Sequence, residues 1–241
     1  MAGHSKWKNI QHRKGAQDAK KGKVFTKIAV ELTVAARAGG SNPEDNPRLR
    51  AALAKAKAAN MPKENCQRAI KKGTGEGDDF NYSEKTYEGY GPAGVAVFVE
   101  CLTDNLNRTV AEVRHAFSRN GGNLGTDGSV SWMFHRKGMI VYNKKTISDY
   151  DAFFDKALES GAEDVKEEED SYEVISAPDD FMALKAGLDS LNIEPDFCEL
   201  VRIPENFTAI DKEKADTLEK LVNALEDNDD VQNVYHNASY A

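Results

Sequence analysis

The chain places an aromatic ring inside a run of basic side chains near its N-terminus. Trp7 lies between Lys6 and Lys8 in residues 1–23, which hold seven Lys and Arg side chains against a single Asp. An indole offers a stacking face for an unpaired base, and the flanking ammonium groups neutralise phosphates. This combination predicts contact with a nucleic acid. The alternative is that Trp7 fills a hydrophobic gap in the neighbouring helical domain.

Further basic residues extend this candidate surface along the chain. Arg48 and Lys55 are seven residues apart, as are Arg50 and Lys57, so each pair shares one face of a helix. The predicted nucleic-acid-binding residues are Lys6, Trp7, Lys8, Arg13, Lys14, Lys20, Lys21, Lys23, Arg48, Arg50, Lys55, Lys57, Lys63, Arg68, Lys71, Lys72 and Arg108.

The two ends of the chain carry opposite charge. The 241 residues have a net charge of −8, but residues 1–75 hold 17 Lys and Arg against 5 Asp and Glu, a net of +12. Residues 76–241 therefore carry a net of −20. Segregation of this size is typical of a protein whose basic part contacts a nucleic acid. The acidic part has basic islands that extend this surface or form ordinary ion pairs: Arg108, His135, Arg136 and Lys137.

Other chemistries find weaker support in the sequence. Gly89–Gly94 has the letters of a dinucleotide-binding loop, but it precedes a strand instead of opening a helix, so we interpret it as a turn. The histidines and cysteines lack the spacing of metal ligands, which predicts neither a metal nor a cofactor. The best catalytic alternative uses Asp104, Arg108 and His135. We expect no catalytic residues and no small-molecule substrate.

Composition indicates a cytoplasmic protein that does not enter a membrane. The longest apolar runs, such as Val95–Val99, are too short to cross a bilayer, and the N-terminus lacks the apolar stretch of a signal peptide. The three cysteines are far apart in the chain, which is typical of a reducing compartment.

Helical signals follow the basic arm. Apolar residues recur at helical spacing from Phe25 to Ala35, and Gly39 with Gly40 predicts the end of the helix. Asn46 and Pro47 predict the start of a second helix, and Pro62 restarts the chain as a third. We therefore predict a mobile basic arm over residues 1–23 and a three-helix domain over residues 24–75.

The pattern changes to mixed strands and helices after a flexible acidic boundary. Gly94–Leu102 predicts a strand and Asn105–Asn120 a helix. The alternation of Ser129–Phe134 predicts another strand, with Trp132 on its apolar face and therefore in the core.

Residues 138–203 predict a β-α-β-β-α-β order, which is that of a ferredoxin-like domain. Its predicted elements are Met139–Asn143, Ser148–Ser160, Ala162–Glu167, Ser171–Ser176, Asp179–Leu191 and Phe197–Ile203. A helix over Asp211–Asp227 and a strand over Val231–His236 complete an outer domain of the same kind. The predicted fold is α+β: a three-helix domain followed by a discontinuous ferredoxin-like domain, residues 80–137 plus 204–241, with a second ferredoxin-like domain, residues 138–203, inserted into it.

The inserted segment is strongly acidic. Residues 138–203 hold 17 acidic against 6 basic side chains, a net of −11, so we expect this domain to repel phosphates. We therefore predict that it does not bind nucleic acid by itself. A protein-binding adaptor acting through this acidic domain is a further alternative.

Seven blocks of sequence resemble the YebC/PmpR family along essentially the whole chain. They are Gly3–Trp7, Asn46–Arg50, Asn60–Lys63, Arg68–Gly75, Tyr87–Pro92, Thr103–Thr109 and Gly128–Phe134.

The resemblance implies a three-domain α+β fold, a cytoplasmic location and a non-enzymatic role. It implies a probable DNA-binding transcriptional regulator, or alternatively a ribosome-associated translation factor that binds ribosomal RNA and helps the synthesis of proline-rich stretches. Composition supports a nucleic-acid partner without choosing between DNA and ribosomal RNA. No helix-turn-helix with an obvious recognition helix is evident in the sequence, and a basic arm with an aromatic ring suits irregular RNA equally well.

Overall fold

The computed structural model describes residues 21–75 and 82–240, and within them the chain forms helices and antiparallel sheets. The α-helices in these ranges are α1 (Lys21–Gly39), α2 (Pro47–Ala58), α3 (Lys63–Thr74), α4 (Leu106–Arg119), α5 (Tyr150–Glu159), α6 (Phe181–Asp189) and α7 (Lys212–Glu226). The strands are β1 (Ser83–Tyr90), β2 (Ala96–Thr103), β3 (Asn123–Leu124), β4 (Phe134–Asn143), β5 (Asp164–Glu167), β6 (Ser171–Ser176), β7 (Phe197–Pro204), β8 (Thr208–Ile210), β9 (Val231–His236) and β10 (Ala238–Tyr240).

The described residues fall into two compact units. The acidic unit contains Trp132–Phe207, and the main unit contains the described chain before Trp132 together with Thr208–Ala238. The predicted boundaries of the arm and of the three domains stay a prediction.

Helices α2 and α3 begin where the local signals predict, whereas α1 begins at Lys21, inside the segment 1–23 that was predicted as a mobile arm. The side chain of Asn46 accepts a hydrogen bond from the Leu49 N–H at 3.0 Å, which caps the first turn of α2. The same side chain donates to the carbonyl oxygens of Ala35 at 2.8 Å and Gly40 at 2.9 Å. This one buried amide therefore closes the end of α1 and opens α2, and it fixes the angle between them.

The main unit contains a four-stranded antiparallel sheet in the order β3-β1-β2-β9. Helices α4 and α7 pack on this sheet and bury a common core. Its residues include Val97, Val99, Phe117, Leu218 and Leu221, each of which has no accessible surface. Burial of such side chains stabilises the fold by about 1.5–3 kcal/mol each.

The acidic unit repeats this architecture. Its sheet has the order β5-β6-β4-β7, with all neighbours antiparallel, and α5 and α6 cover one face. Tyr142 and Phe153 meet edge to face with ring centroids 5.2 Å apart in the core, beside Ile140, Leu184 and Leu188. The chain order β4-α5-β5-β6-α6-β7 confirms the predicted ferredoxin-like order.

The two sheets are spatial equivalents that differ in chain order. In the main sheet, β1 lies next to β2, the strand that precedes α4. In the acidic sheet, β6 holds the equivalent place next to β4, the strand that precedes α5. In the main unit this strand comes first in the chain, so the order there is β-β-α-β followed by α-β. The α+β fold class with a three-helix segment and two ferredoxin-like sheets is confirmed. Strand β1 was not predicted, because six of its eight residues are charged, glycine, serine or threonine.

Two sequence predictions near residue 130 are wrong. Ser129–Phe134 does not form a strand: Ser131–Met133 is a 3-10 turn, and only Phe134 enters β4. Trp132 does not lie in the core, since 61% of its surface is exposed. The physical reason lies in the backbone hydrogen bonds of this segment. In a strand, its N–H groups would bind a neighbouring strand, but here they bind the carboxylate of Glu88. Strand β4 consequently starts at Phe134, before the predicted start at Met139.

Candidate nucleic-acid interface

Part of the predicted interface lies outside the described residues. The residues concerned are Lys6, Trp7, Lys8, Arg13, Lys14 and Lys20. Lys21 begins α1, and its side chain is likewise outside the description. These assignments stay predictions.

Helix α3 is amphipathic, with a narrow buried face of small side chains. Cys66, Ala69 and Gly73 are buried against α1, at spacings of three and four residues. A Cβ atom on Gly73 would clash with the carbonyl oxygen of Thr33, so the absence of a side chain allows the helices to touch. The Thr33 hydroxyl lies 3.1 Å from the carbonyl oxygen of Ala69 and donates to it across the same contact.

The opposite face of α3 carries the basic residues. Lys63, Arg68, Lys71 and Lys72 are all exposed. At 100° per residue they span the half of the helix turned away from the buried face. Packing of Gly73 and Ala69 on α1 therefore orients four positive charges toward solvent.

Four basic side chains of α2 and α3 keep their charge uncompensated by the described part of the molecule. Lys57, Lys63, Arg68 and Lys71 have no ion pair or side-chain hydrogen bond with any residue in 22–75 or 82–240. All four are exposed. An exposed ammonium or guanidinium group of this kind is available to neutralise a phosphate.

Other predicted residues of α2 are engaged within the main unit. Arg48 forms an ion pair with Glu84 of β1, and the Lys55 ammonium lies 3.5 Å from the carboxylate of Glu31 on α1. The Arg50 guanidinium donates to the carbonyl oxygen of Pro43 at 2.9 Å. These basic side chains are partly exposed, so a phosphate can reach them. Each side chain must break its present contact before it binds that phosphate.

Lysines on α1 reach the C-terminal end of α7. The Lys23 ammonium donates to the carbonyl oxygen of Asp227 at 2.6 Å, and the Lys27 ammonium donates to that of Glu226 at 2.7 Å. Carbonyls at a helix C-terminus lack partners within the helix and carry partial negative charge. Burial lowers the pKa of Lys27, and the negative charges of Glu226 and Asp229 oppose that shift. Lys23, a predicted phosphate ligand, thus helps to hold α1 against α7.

Arg108 lies in a dense hydrogen-bonded cluster. Its Nη2 atom lies 2.8 and 2.9 Å from the two carboxylate oxygens of Asp230 and 2.9 Å from Oδ1 of Asp104. The hydroxyl groups of Thr109, at 2.7 Å, and Thr103, at 3.2 Å, also donate to Asp230. The bonds to Asp230, and then to Asp104, raise the pKa of the Arg108 guanidinium.

This cluster ties α4 to the loop before β9. Asp230 is only 8% exposed, so its carboxylate needs the three donors to offset the loss of water. Burial and the nearby Asp230 charge raise the pKa of the Cys101 thiol to about 12, which keeps that thiol protonated and inert. The residues of the Thr103–Thr109 sequence block thus have a structural role in this cluster. The catalytic alternative from the sequence uses Asp104, Arg108 and His135. Asp104 and Arg108 pair with each other, and His135 lies 3.5 Å from Glu205 within the acidic unit.

Sequence reasoning missed a second buried carboxylate, that of Glu88 on β1. It is 4% exposed and accepts hydrogen bonds from the backbone N–H groups of Gly128 at 2.8 Å, Val130 at 2.7 Å and Ser131 at 2.7 Å. Burial raises the pKa of Glu88, but these hydrogen bonds outweigh it, so that the pKa lies below its ordinary value. The sequence around Glu88 does not reveal this role. The carboxylate can be recognised as an acceptor of backbone hydrogen bonds only when its partners, some forty residues later in the chain, are known.

Three further features concern the described residues: metal ligands, membrane spans and disulfides. Residues 22–75 and 82–240 contain no group of three or more His, Cys, Asp or Glu side chains placed to hold a metal ion. None of the helices in the described ranges is long and apolar enough to span a membrane. The thiols of Cys66, Cys101 and Cys198 form no disulfide with one another.

Comparison with known proteins identifies the class to which this architecture belongs. The model of the TACO1/YebC protein N-terminal domain matches residues 5–76, and that of the TACO1/YebC second and third domain matches residues 82–238. The chain belongs to the TACO1/YebC family, which confirms the resemblance found in the sequence blocks.

Individual relatives cover the chain almost completely. A probable transcriptional regulatory protein of Syntrophotalea carbinolica is 56% identical over 98% of this chain and 95% of its own length. One from Geobacter sulfurreducens is 54% identical over the same shares. The crystal structure of a conserved hypothetical protein from Aquifex aeolicus matches with a TM-score of 0.82 at 46% identity, covering 93% of this chain and 92% of that one.

Proposed function

We propose that this protein is a non-enzymatic regulator of gene expression that binds DNA through the outer faces of α2 and α3. The observation that carries the proposal is the set of exposed basic side chains without compensating partners among the described residues, Lys57, Lys63, Arg68 and Lys71. The names of the relatives, probable transcriptional regulatory proteins, support a regulatory role.

Counterion release gives this surface a measurable signature. Each phosphate neutralised on duplex DNA contributes about 0.9 to the slope of log affinity against log salt, and about 0.7 on a single strand. Four contacts from the α2–α3 surface thus give a slope of about −3 to −4, before any contribution of residues 1–20. The net charge of −20 beyond residue 75 opposes non-specific wrapping of the nucleic acid around the rest of the chain.

A second candidate is a translation factor that binds ribosomal RNA. The observation that favours it is the 61% exposure of Trp132, because duplex DNA offers no unpaired base to an exposed ring whereas irregular RNA does. The base stacking predicted from the sequence for Trp7, which lies between Lys6 and Lys8, would act in the same way.

A charge-reversal experiment tests both candidates. The variant Arg68→Glu/Lys71→Glu places two negative charges on the outer face of α3, and Lys214→Glu/Lys220→Glu on the exposed side of α7 is the matched control. The readouts are a gel shift on promoter DNA and co-sedimentation with ribosomal particles at moderate salt. We expect the α3 variant to lose binding in one of these assays while the α7 variant retains it.

The outcome distinguishes the candidates. Loss confined to the gel shift supports the DNA-binding regulator, and loss confined to co-sedimentation supports the ribosomal role. Equal behaviour of the two variants, or wild-type protein that binds neither partner, would overturn the proposed surface. A melting temperature for each variant verifies that the charge changes leave the fold intact.

We further propose that the protein acts in the cytoplasm. Its three cysteines remain thiols, and two of them are buried, as suits a reducing compartment. Fractionation of cells that express the chain, with detection by antibody, tests the location, and recovery outside the cytoplasm would contradict it.

A further inference from the structure

A turn of four residues, 59–62, joins helices α2 and α3. Asn60 lies there in the left-handed region at φ 56°, and the N–H of the next residue, Met61, donates to the carbonyl oxygen of Ala56 at 2.9 Å. A left-handed residue with this hydrogen bond is a common way to end a helix. Met61 belongs to the core that the three helices share, and Pro62 then precedes the first turn of α3. Two helices joined by so short a turn, and packed on a third, have the connectivity of a helix-turn-helix unit.

The second helix of such a unit is the one that enters the major groove of DNA, where its N-terminal residues face the base edges. Helix α3 holds this position. With its side chains a helix is about 10–12 Å wide, which matches a major groove about 12 Å wide. Cys66, Ala69 and Gly73 form the buried face of α3. The side chains on the opposite face therefore decide whether α3 can bind in a groove.

That opposite face has cations on its two flanks. At about 100° per residue, Lys63 and Arg68 are about 140° apart around the helix axis. Glu64 and Gln67 lie between them, as does Lys71 two turns after Glu64, and all five side chains are exposed. Neither Glu64 nor Gln67 has an ion pair or a side-chain hydrogen bond with any residue that the structure describes. The first two turns thus present a carboxylate and an amide between two cations.

The carboxylate of Glu64 distinguishes two ways in which DNA could meet this face. Glu64 is nine residues before Gly73 and hence about 180° from it, at the outermost line of the helix. A helix laid flat on the DNA backbone would press Glu64 against phosphates, which repel it. A helix inserted into the groove has phosphates only along its flanks, where Lys63 and Arg68 lie, and turns its outermost residues toward base edges. The order of charges across the face therefore favours insertion.

Base edges in the major groove offer partners for both central residues. A Glu carboxylate accepts a hydrogen bond from the N4 amino group of cytosine, and a Gln amide forms two hydrogen bonds with N6 and N7 of adenine. Glu64 also has a structural role, because its charge stabilises the N-terminus of a helix that lacks a side-chain cap. Gln67 is uncharged and has no partner among the described residues. Gln67 is therefore the residue whose place on this face depends most on a ligand.

We propose that α3 inserts into the major groove of duplex DNA, where Gln67 reads an adenine and Glu64 reads a cytosine of the neighbouring base pair. The two residues are about 4.5 Å apart along the helix axis, close to the spacing of about 3.4 Å between base pairs. Lys63 and Arg68 bind phosphates on the walls of the groove. Duplex RNA does not serve as the ligand, because its major groove is too deep and narrow for side chains to read.

This inference rests on the proposed DNA-binding function and makes it sequence-specific. The α2–α3 surface needs only phosphates, whereas insertion of α3 adds a preference for particular bases. The two claims can be tested separately, because phosphate contacts set the salt dependence of binding and base contacts set the discrimination between sequences.

The test starts from a pool of duplex DNA with about 20 randomised base pairs, from which the full-length protein selects its ligands. We expect the selected duplexes to share an A·T pair next to a C·G pair. Fluorescence anisotropy then compares one selected duplex with two versions in which one of these pairs is replaced. Each replacement should weaken binding by about 5- to 140-fold.

Substitutions at Gln67 assign the contact with adenine. Gln67→Ala should bind the selected duplex and the version with the replaced A·T pair equally, with an unchanged salt slope because no charge is lost. Gln67→Glu should prefer cytosine to adenine at this position, because a carboxylate cannot donate to N7 of adenine. Asn107→Ala, which removes an exposed amide of α4, is the matched control and should keep the wild-type preference. Since both positions are exposed, all these variants should keep the wild-type melting temperature.

The charged neighbours give different signatures. Lys63→Ala should reduce the salt slope by about 0.9 and leave the base preference unchanged. Glu64→Ala should remove the discrimination at the C·G pair while keeping that at the A·T pair.

The outcomes separate base reading from the function on which it rests. Selected duplexes without a common sequence, or a Gln67→Ala variant that keeps the A·T preference, would overturn base reading while leaving the phosphate-binding surface in place. An RNA duplex of the selected sequence that binds as tightly as the DNA would do the same, because its bases are out of reach. Wild-type protein that binds no duplex DNA would overturn both base reading and the proposed function.

Discussion

Arg68 on α3 and Arg108 on α4 are both exposed arginines of the main unit, but their surroundings differ. Arg108 donates to two carboxylates, one of them the buried Asp230, and so stabilises the contact between α4 and the loop before β9. Arg68 has no acidic partner among the described residues, and the face on which it lies carries Lys63, Lys71 and other basic groups.

A count of the positive charges in a segment therefore does not show which of them can bind a phosphate. A cation already paired with a carboxylate must break that pair before it meets a phosphate, and the exchange gains little free energy. An unpaired cation exchanges only water and counterions, and the release of counterions favours binding. Among the predicted binding residues whose side chains the structure describes, the comparison therefore favours Lys57, Lys63, Arg68 and Lys71 on α2 and α3 as phosphate ligands.

The largest expected change in stability concerns the buried carboxylate that binds Arg108. Asp230→Asn removes the charge to which Arg108, Thr103 and Thr109 donate, and an amide cannot accept all three bonds. We expect the apparent free energy of unfolding to fall by about 2–4 kcal/mol, with nucleic-acid affinity unchanged. Urea denaturation followed by circular dichroism measures the change.

The partner on the exposed side provides the control for this prediction. Asp104→Asn removes only a surface ion pair of Arg108 and should cost about 0–0.5 kcal/mol. If the two variants lose the same stability, the buried carboxylate is not the centre of the cluster.

A second effect concerns the buried carboxylate that the sequence did not reveal. Glu88→Gln replaces an acceptor of backbone N–H groups by an amide with its own N–H donors, so we expect a loss of about 1–3 kcal/mol at pH 7. Because the folded pKa lies below the ordinary value of 4.5, the advantage of wild type is complete above pH 4.5 and shrinks as the pH falls below it. Unfolding curves at pH 7 and at pH 4 measure both the size and the pH dependence.

Glu84→Gln on the same strand is the matched control, since the Glu84 carboxylate is exposed and its ion-pair partner among the described residues is Arg48. It should leave stability nearly unchanged at both pH values. A stability difference for Glu88→Gln that grows toward acid would contradict the assigned role.

A smaller effect is expected at the C-terminal end of α7. Lys27→Met keeps the apolar stem but removes the ammonium that donates to the Glu226 carbonyl, at an expected cost of about 1 kcal/mol. Lys23→Met, which removes a more exposed bond to Asp227, should cost less. Thermal denaturation ranks the two variants, and the reverse order would show that burial does not decide the strength of these contacts.

The smallest expected effect is a change in the salt dependence of DNA binding when one lysine is removed. Lys71→Ala removes one uncompensated charge and should reduce the salt slope of duplex binding by about 0.9. Lys23→Ala removes a charge already bound to α7 and should leave the slope as in wild type. Affinities at four KCl concentrations give both slopes, and an equal reduction would mean that pairing within the chain does not exclude phosphate binding.

The helical part of the fold follows from signals that act over a few residues. Asn46 and Pro47 start α2 because the cap and the fixed proline dihedral satisfy the first turn locally. The six elements of the acidic unit were predictable for a similar reason, since apolar period and turn residues alternate clearly there. Most boundaries differ from the prediction by one or two residues, and the larger shift, at the start of β4, occurs where a distant group intervenes.

The errors around residue 130 have a long-range cause. Val130, Trp132 and Phe134 alternate as in a strand, but Glu88, some forty residues earlier in the chain, binds the backbone N–H groups of Val130 and Ser131. This contact turns Trp132 outward. No local pattern contains it, because the carboxylate and the amides meet only after β1 has joined the sheet.

The segregation of charge, the approximate positions of the helices and the family resemblance all follow from the amino-acid sequence alone. Tertiary structure decided which cations remain available, because Lys23, Arg48 and Arg108 find their acidic or carbonyl partners on elements far away in the chain. It also decided that Trp132 is exposed. Charge type and helix propensity are properties of single residues and their near neighbours, whereas ion pairing and burial depend on which elements the fold brings together.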